Sequence, residues 1–153
     1  MFNIALYNPA IPQNTGNIAR TCAVTSCALH LIKPYGFIIS DKLLKRAGLD
    51  YWKELKIREY DDFEDFMTKN AGANIYLFTS KGYKNHTTPQ YKKGDFLLFG
   101  SETAGVPAKI HEALRENRLR IPMVPGGRCL NLSNSVCIAL YEALRQTGFE
   151  GMN

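Results

Sequence analysis

Short runs of aliphatic and β-branched residues alternate along the chain with segments whose apolar positions recur every three to four residues. The runs Asn3–Tyr7, Ala28–Ile32, Lys56–Tyr60, Asn74–Thr79, Phe96–Phe99 and Leu119–Pro122 predict strands. The segments Gly16–Thr25, Asp41–Ala47, Phe63–Lys69, Ala108–Glu116 and Leu132–Gln146 predict helices. Strands separated by crossover helices form a parallel sheet covered on both faces, so the expected fold is α/β, a three-layer α/β/α arrangement with a mainly parallel sheet of about six strands. Pro107 suits a first helical turn, and Gly148 suits the stop after the last helix. That last helix is apolar around its circumference from Val136 to Tyr141, which asks for cover on more than the sheet side.

The chain has 153 residues, which suits one domain over 1–153, and neither a repeat nor a linker interrupts it. Hydrophobic residues make up 45% and charged residues 22%, which argues against a disordered or low-complexity chain. Nineteen Lys and Arg against fourteen Asp and Glu leave a charge of +5, a moderate attraction for polyanions. No basic residue precedes Arg20, as a signal peptide would require, and no apolar run approaches the ~20 residues that cross a bilayer. A cytoplasmic protein without a membrane contact is expected. Cys22, Cys27, Cys129 and Cys137 lack the short spacing of a zinc knuckle and read as free thiols, so no metal is expected. Phosphate-loop, HExxH, GxSxG and GxGxxG signatures are all absent.

Ligands of open parallel sheets collect beyond the carboxyl ends of the strands, and three of the segments found there are unusual. They are Asn8 to Arg20, rich in amides and prolines; Phe99 to Pro107, containing Gly100, Glu102 and Gly105; and Ile121 to Ser135, containing a Pro-Gly-Gly turn and Asn131, Ser133 and Asn134. Each alone reads as ordinary turn chemistry. A further segment, Ser80 to Gly94, carries Lys81, Lys84, Lys92 and Lys93 without an acid, interleaved with Tyr83, His86 and Tyr91. Phosphate attraction combined with flat rings suits single-stranded or looped RNA. Lys42, Lys45 and Arg46, with Tyr51 and Trp52 nearby, form a second basic group.

Together and in order, the three loop segments resemble the three motifs of the SPOUT class of RNA methyltransferases, over essentially the whole chain. Pro12-Gln13-Asn14-Thr15-Gly16-Asn17-Ile18-Ala19-Arg20, Asp41-Lys42 with Arg46-Ala47-Gly48-Leu49-Asp50-Tyr51, and Arg120-Ile121-Pro122-Met123 followed by Asn131-Leu132-Ser133-Asn134 resemble the small TrmL/YibK family. That resemblance implies methylation of the ribose 2′-hydroxyl of the wobble nucleotide of tRNA, position 34, a cytidine or modified uridine. It also implies S-adenosylmethionine as donor with S-adenosylhomocysteine as product, a homodimer, the tRNA anticodon stem-loop as partner, and a C-terminal trefoil knot around the cofactor. Related enzymes acting on ribosomal or other RNA, and a silent RNA-binding module, are the alternatives.

By the same resemblance, main-chain groups around Phe78, Thr79, Gly100, Ile121, Pro122, Met123, Cys129 and Leu130 line the cofactor slot, and Ser133 is a further candidate cofactor contact. Gly100 would let the backbone approach the ligand. Cys129 stands where many relatives carry serine. Glu102 reads equally as a cofactor contact or as a loop carboxylate. Arg20, Asn17 and Tyr141 match positions on the acceptor side, Tyr141 being equally compatible with core packing. Asn17, Arg20 and Thr21 share one helix face while Ile18, Ala19 and Cys22 turn inward. A guanidinium is too weak a base to take a proton, so Arg20 would hold the phosphate beside the target ribose and orient the nucleophile.

Overall fold

The structure, a computed structural model, describes residues 1–37 and 55–152. The expected helix Asp41–Ala47 and the candidate RNA contacts Lys45 and Arg46 lie outside the described residues. Seven strands form one sheet: β1 Asn3–Tyr7, β2 Ala28–Ile32, β3 Ile57–Tyr60, β4 Ile75–Phe78, β5 Lys84–Asn85, β6 Phe96–Phe99 and β7 Arg118–Arg120. Their spatial order is β3-β2-β1-β6-β4-β7-β5, and every paired neighbour is parallel. The helices are α1 Pro12–Val24, α2 Phe63–Lys69, α3 Ala108–Ala113 and α4 Leu132–Gln146.

The central strands β2, β4 and β6 are buried along their whole length, as a sheet covered on both faces demands. On one face α1 and α4 pack Ile18, Ala19, Cys22, Val136, Ala139 and Leu140 onto Ile4, Leu6 and Leu29. On the other, α2 and α3 supply Phe66 and Ile110 against Ala5, Leu77 and Leu98. Phe66 meets Tyr60 and Phe96 edge-on at 5.1 and 5.4 Å, and losing so large a buried ring costs about 3–5 kcal/mol. His30 is buried in β2, with Nδ1 2.8 Å from the Tyr60 hydroxyl and Nε2 3.1 Å from Asn3 Oδ1.

Four differences from the sequence expectation have local causes. Helix α1 begins at Pro12 rather than Gly16, because Pro12 can start a helix without its missing N–H, and a distant carboxylate serves the helix entrance. Helix α3 ends at Ala113 and a single 3₁₀ turn, Arg115–Asn117, leads into β7. Strand β7 stops at Arg120 short of Pro122, which has no N–H to continue a ladder. Strand β5 makes the sheet seven-stranded rather than about six; two polar, exposed residues carry no hydrophobic alternation by which to recognise a strand. Although β4 and β5 follow one another in the chain, they do not pair: β7 lies between them.

Candidate active site

Strands β4, β6 and β7 end side by side, and a cavity of about 550 Å³ opens beyond their carboxyl ends. The stacked rings of Phe78 and Phe99, centroids 4.8 Å apart, contribute to its wall. Of the residues expected around a cofactor, Phe78, Thr79, Gly100, Glu102, Ile121, Met123, Cys129 and Leu130 all line this cavity. Pro122 and Ser133 do not. Ser133 instead turns into the helix cap, its hydroxyl donating to Asn131 Oδ1 at 2.6 Å.

Gly100, which lines the cavity, is also constrained by its own loop. Its loop folds back through paired hydrogen bonds between Ser101 and Gly105, 3.0 and 2.8 Å, and a Cβ at position 100 would stand 2.5 Å from the Gly105 carbonyl carbon. The bare backbone is required by the loop's own return, before any ligand is considered.

Glu102 is committed to protein. One carboxylate oxygen accepts the Ala10 N–H at 2.7 Å; the other accepts the Ile11 N–H at 3.2 Å and the Asn14 side-chain amide at 3.0 Å. Helix α1 has no capping side chain of its own and no acid in its first turn, so Glu102 supplies negative charge to its entrance from the second loop. The Asn131 amide donates to Asn14 Oδ1 at 2.9 Å, while Asn131 Oδ1 accepts the Ser133 and Asn134 N–H groups as the cap of α4. Glu102, Asn14 and Asn131 thereby tie all three loop segments into one polar network, favouring the loop-carboxylate reading of Glu102.

The acceptor candidates lie apart. Asn17 and Arg20 are exposed on α1 and do not line the cavity, while Ile18, Ala19 and Cys22 face inward as expected. Tyr141 is 45% exposed on α4, so it does not serve the core; its ring lies tilted toward Phe149 at 6.5 Å. The basic segment divides in two. Lys81 reaches the cavity and the Lys84 ammonium donates to the Glu116 carbonyl, whereas Lys93 is paired with Glu150, and Lys92 is exposed beside the Asp95 turn. Tyr91 is buried against Tyr76, donates to the His86 carbonyl at 2.5 Å and is therefore unavailable for stacking; burial pushes its phenol pKa up.

Several cavity residues were not singled out from sequence for a cofactor role, among them Asn14 and His111. His111 sits one turn after Pro107, and its Nδ1 is buried without a hydrogen-bond partner; burial, then Lys81 and Arg118, hold its pKa down. Its place directly after the second loop was the available signal. Among the described residues no cluster of three metal-binding side chains occurs, and no helix is long and apolar enough to cross a membrane.

Comparison with known proteins agrees with this geometry. A tRNA (cytidine(34)-2'-O)-methyltransferase of Escherichia coli strain K12 is 47% identical over 152 residues, covering 99% of this chain and 97% of its own. A solved structure described as giving insights into the 2-OH methylation of C/U34 on tRNA superposes with a TM-score of 0.90 at 42% identity, covering 98% of both chains. An rRNA methyltransferase from Sinorhizobium meliloti, solved with AdoMet bound, gives a TM-score of 0.80 at 29% identity over 94% of this chain and 56% of its own. The model of the SpoU rRNA methylase family matches residues 1–141, spanning all three loops that meet at the cavity, and the chain belongs to that family.

Proposed function

We propose that the chain is a single-domain, cytoplasmic enzyme that methylates the ribose 2′-hydroxyl of nucleotide 34, a cytidine or modified uridine, in tRNA. The observation carrying this reading is the convergence of the three loops on one cavity, in a chain whose full-length relative bears that activity in its name. The cavity suits S-adenosylmethionine: apolar walls at Phe78, Ile121 and Leu130 accept a flat base, and its volume falls in the range of small-molecule sites. When bound there, that cofactor supplies the methyl group and remains as S-adenosylhomocysteine.

The chain's own residues divide the remaining work. Main-chain groups of Thr79, Gly100, Met123 and Leu130 bind and orient the donor, and Glu102 keeps the loops in register. Arg20 holds the phosphate beside the target ribose, so that the hydroxyl is aligned rather than deprotonated by it, and such positioning supplies much of the acceleration. Arg20, Asn17 and Tyr141 sit off the cavity on the outer side of α1 and α4, where Ile138 is also 39% exposed. A homodimer that joins these faces covers the apolar residues and brings one subunit's Arg20 to the other's donor. The insertion of β7 between β4 and β5 supports a trefoil-knotted C-terminal segment.

Labelled S-adenosylmethionine incubated with the protein and separate tRNA and ribosomal RNA pools tests the proposal. Label at the ribose of nucleotide 34 is expected; label confined to ribosomal RNA, or none, overturns it.

A further inference from the structure

Tyr83 is the most exposed aromatic ring among the described residues, at 66%. Its other side is covered by the guanidinium of Arg118, whose Cζ lies 4.2 Å from the ring centroid. Arg118 is itself buried, donates from Nε to the Arg115 carbonyl, and has no carboxylate in ion-pair range among the described residues. One face of the ring thus rests on an uncompensated cation while the other remains open.

The ring is held in place. A Cβ on Gly82 would stand 2.3 Å from the Leu119 carbonyl carbon, so the backbone before Tyr83 lies directly on β7. The Gly82 N–H donates to the Thr79 carbonyl at 3.0 Å, and Lys84–Asn85 pair with β7 immediately afterwards. Placement on a rigid turn removes the ordering cost that a loose surface tyrosine would bring to binding. Lys81 lines the cavity two residues earlier, about 7 Å of chain at most. Lys84 follows Tyr83, and the exposed Arg120 stands on the neighbouring strand.

A free π-face backed by a cation and flanked by ammonium groups matches an unstacked nucleobase with its adjoining phosphates. A duplex offers phosphates but hides its base faces. We propose that Tyr83 is a stacking platform for one base of a single-stranded RNA loop, placed at the rim of the donor cavity. In the tRNA reading, on which the identity of that loop rests, the base is a neighbour of the nucleotide being methylated.

The test compares binding of a hairpin with a seven-nucleotide anticodon loop and of a blunt duplex of equal length. Tyr83→Ala is expected to weaken hairpin affinity about 5- to 150-fold, the effect of losing one base–aromatic stack, and to leave duplex affinity unchanged. Tyr83→Phe should stay within about twofold of the wild type. Tyr83→Leu keeps apolar cover over Arg118 and so guards against a folding defect, yet should lose hairpin affinity as alanine does. Equal loss on hairpin and duplex, unchanged hairpin affinity in Tyr83→Leu, or failure of Tyr83→Phe to bind like the wild type overturns the platform. Wild-type methyl transfer to tRNA is scored separately: transfer with Tyr83-independent binding rejects the platform alone, and Tyr83-dependent binding without transfer rejects the tRNA activity alone.

Discussion

Removing the Glu102 carboxylate should loosen the entrance of α1 before it affects any ligand. Glu102→Ala strands three donors: the Ala10 and Ile11 N–H groups and the Asn14 amide. Hydrogen bonds to a charged acceptor are each worth about 1.5–3 kcal/mol, but the two backbone donors are accessible to water and recover most of theirs. Asn14 is only 5% exposed and cannot, and the helix entrance also loses its negative charge. The total loss is about 2–3 kcal/mol, or roughly 5–10 °C in Tm for a domain of this size. Glu102→Gln keeps one acceptor oxygen but turns an NH₂ toward a cluster of donors, so about half that loss is expected. Thermal melts followed by circular dichroism measure both variants, with calorimetric titration of S-adenosylmethionine and single-turnover methylation on the same preparations. The carboxylate serves α1, so turnover should fall further than cofactor affinity. A Glu102→Gln protein that melts like the wild type but binds cofactor tenfold more weakly would refute the reasoning, because it would place the carboxylate on the ligand.

Arg20→Ala should leave the melt and cofactor affinity near wild type while abolishing methyl transfer; activity retained by the variant, or by a fully dissociated wild type in a sedimentation dilution series, would sink the shared acceptor site. Gly100→Ala drives a Cβ into the Gly105 backbone, so cofactor affinity should drop at least about tenfold in calorimetry, and near-normal binding would show the loop can shift at little cost. Burial, with Arg58 adding to it, holds His30 at about 4, below its ordinary 6.5. The unfolded chain takes up the proton first, so the stabilisation is complete above pH 6.5 and is lost as pH falls toward 4, about 3 kcal/mol in all. Urea midpoints measured across that range should follow this slope, and a wild-type profile without it would remove His30 from the acid limb.

The strands β1, β2 and β6 and the helices α2 and α4 end at the residues expected from the sequence, because each is a run whose burial pattern is visible locally. Most of the cavity lining was also legible, through the likeness of three loops to a family rather than through periodicity. The start of α1 was hidden because its first five residues include Pro12, Asn14 and Gly16, residues that usually mark loops. What makes them helical is Glu102, about ninety positions away. Tyr91 looked equivalent to Tyr83 in an equally basic segment; its packing on Tyr76 and the hydrogen bonds it donates, from its N–H to the Gln146 side-chain oxygen and from its hydroxyl to the His86 carbonyl, separate them. Strand β5 is defined by its neighbour β7 rather than by its own side chains, which no local pattern can express.

The position of β7 also constrains how the protein comes off the ribosome. Synthesis delivers β4 and β5 some forty and thirty residues before β7, leaving one edge of β4 unpaired and β5 without its partner strand. An unpaired edge is a template for pairing with other chains, so the nascent protein carries a transient aggregation hazard along the β4 side of its sheet. That seam closes only when Arg118–Arg120 emerge and dock, which also brings Ile121 and Met123 to the cavity. Closure of the sheet and acquisition of a donor pocket therefore fall together, and a chain stalled before residue 118 has neither a sealed sheet nor a place to bind.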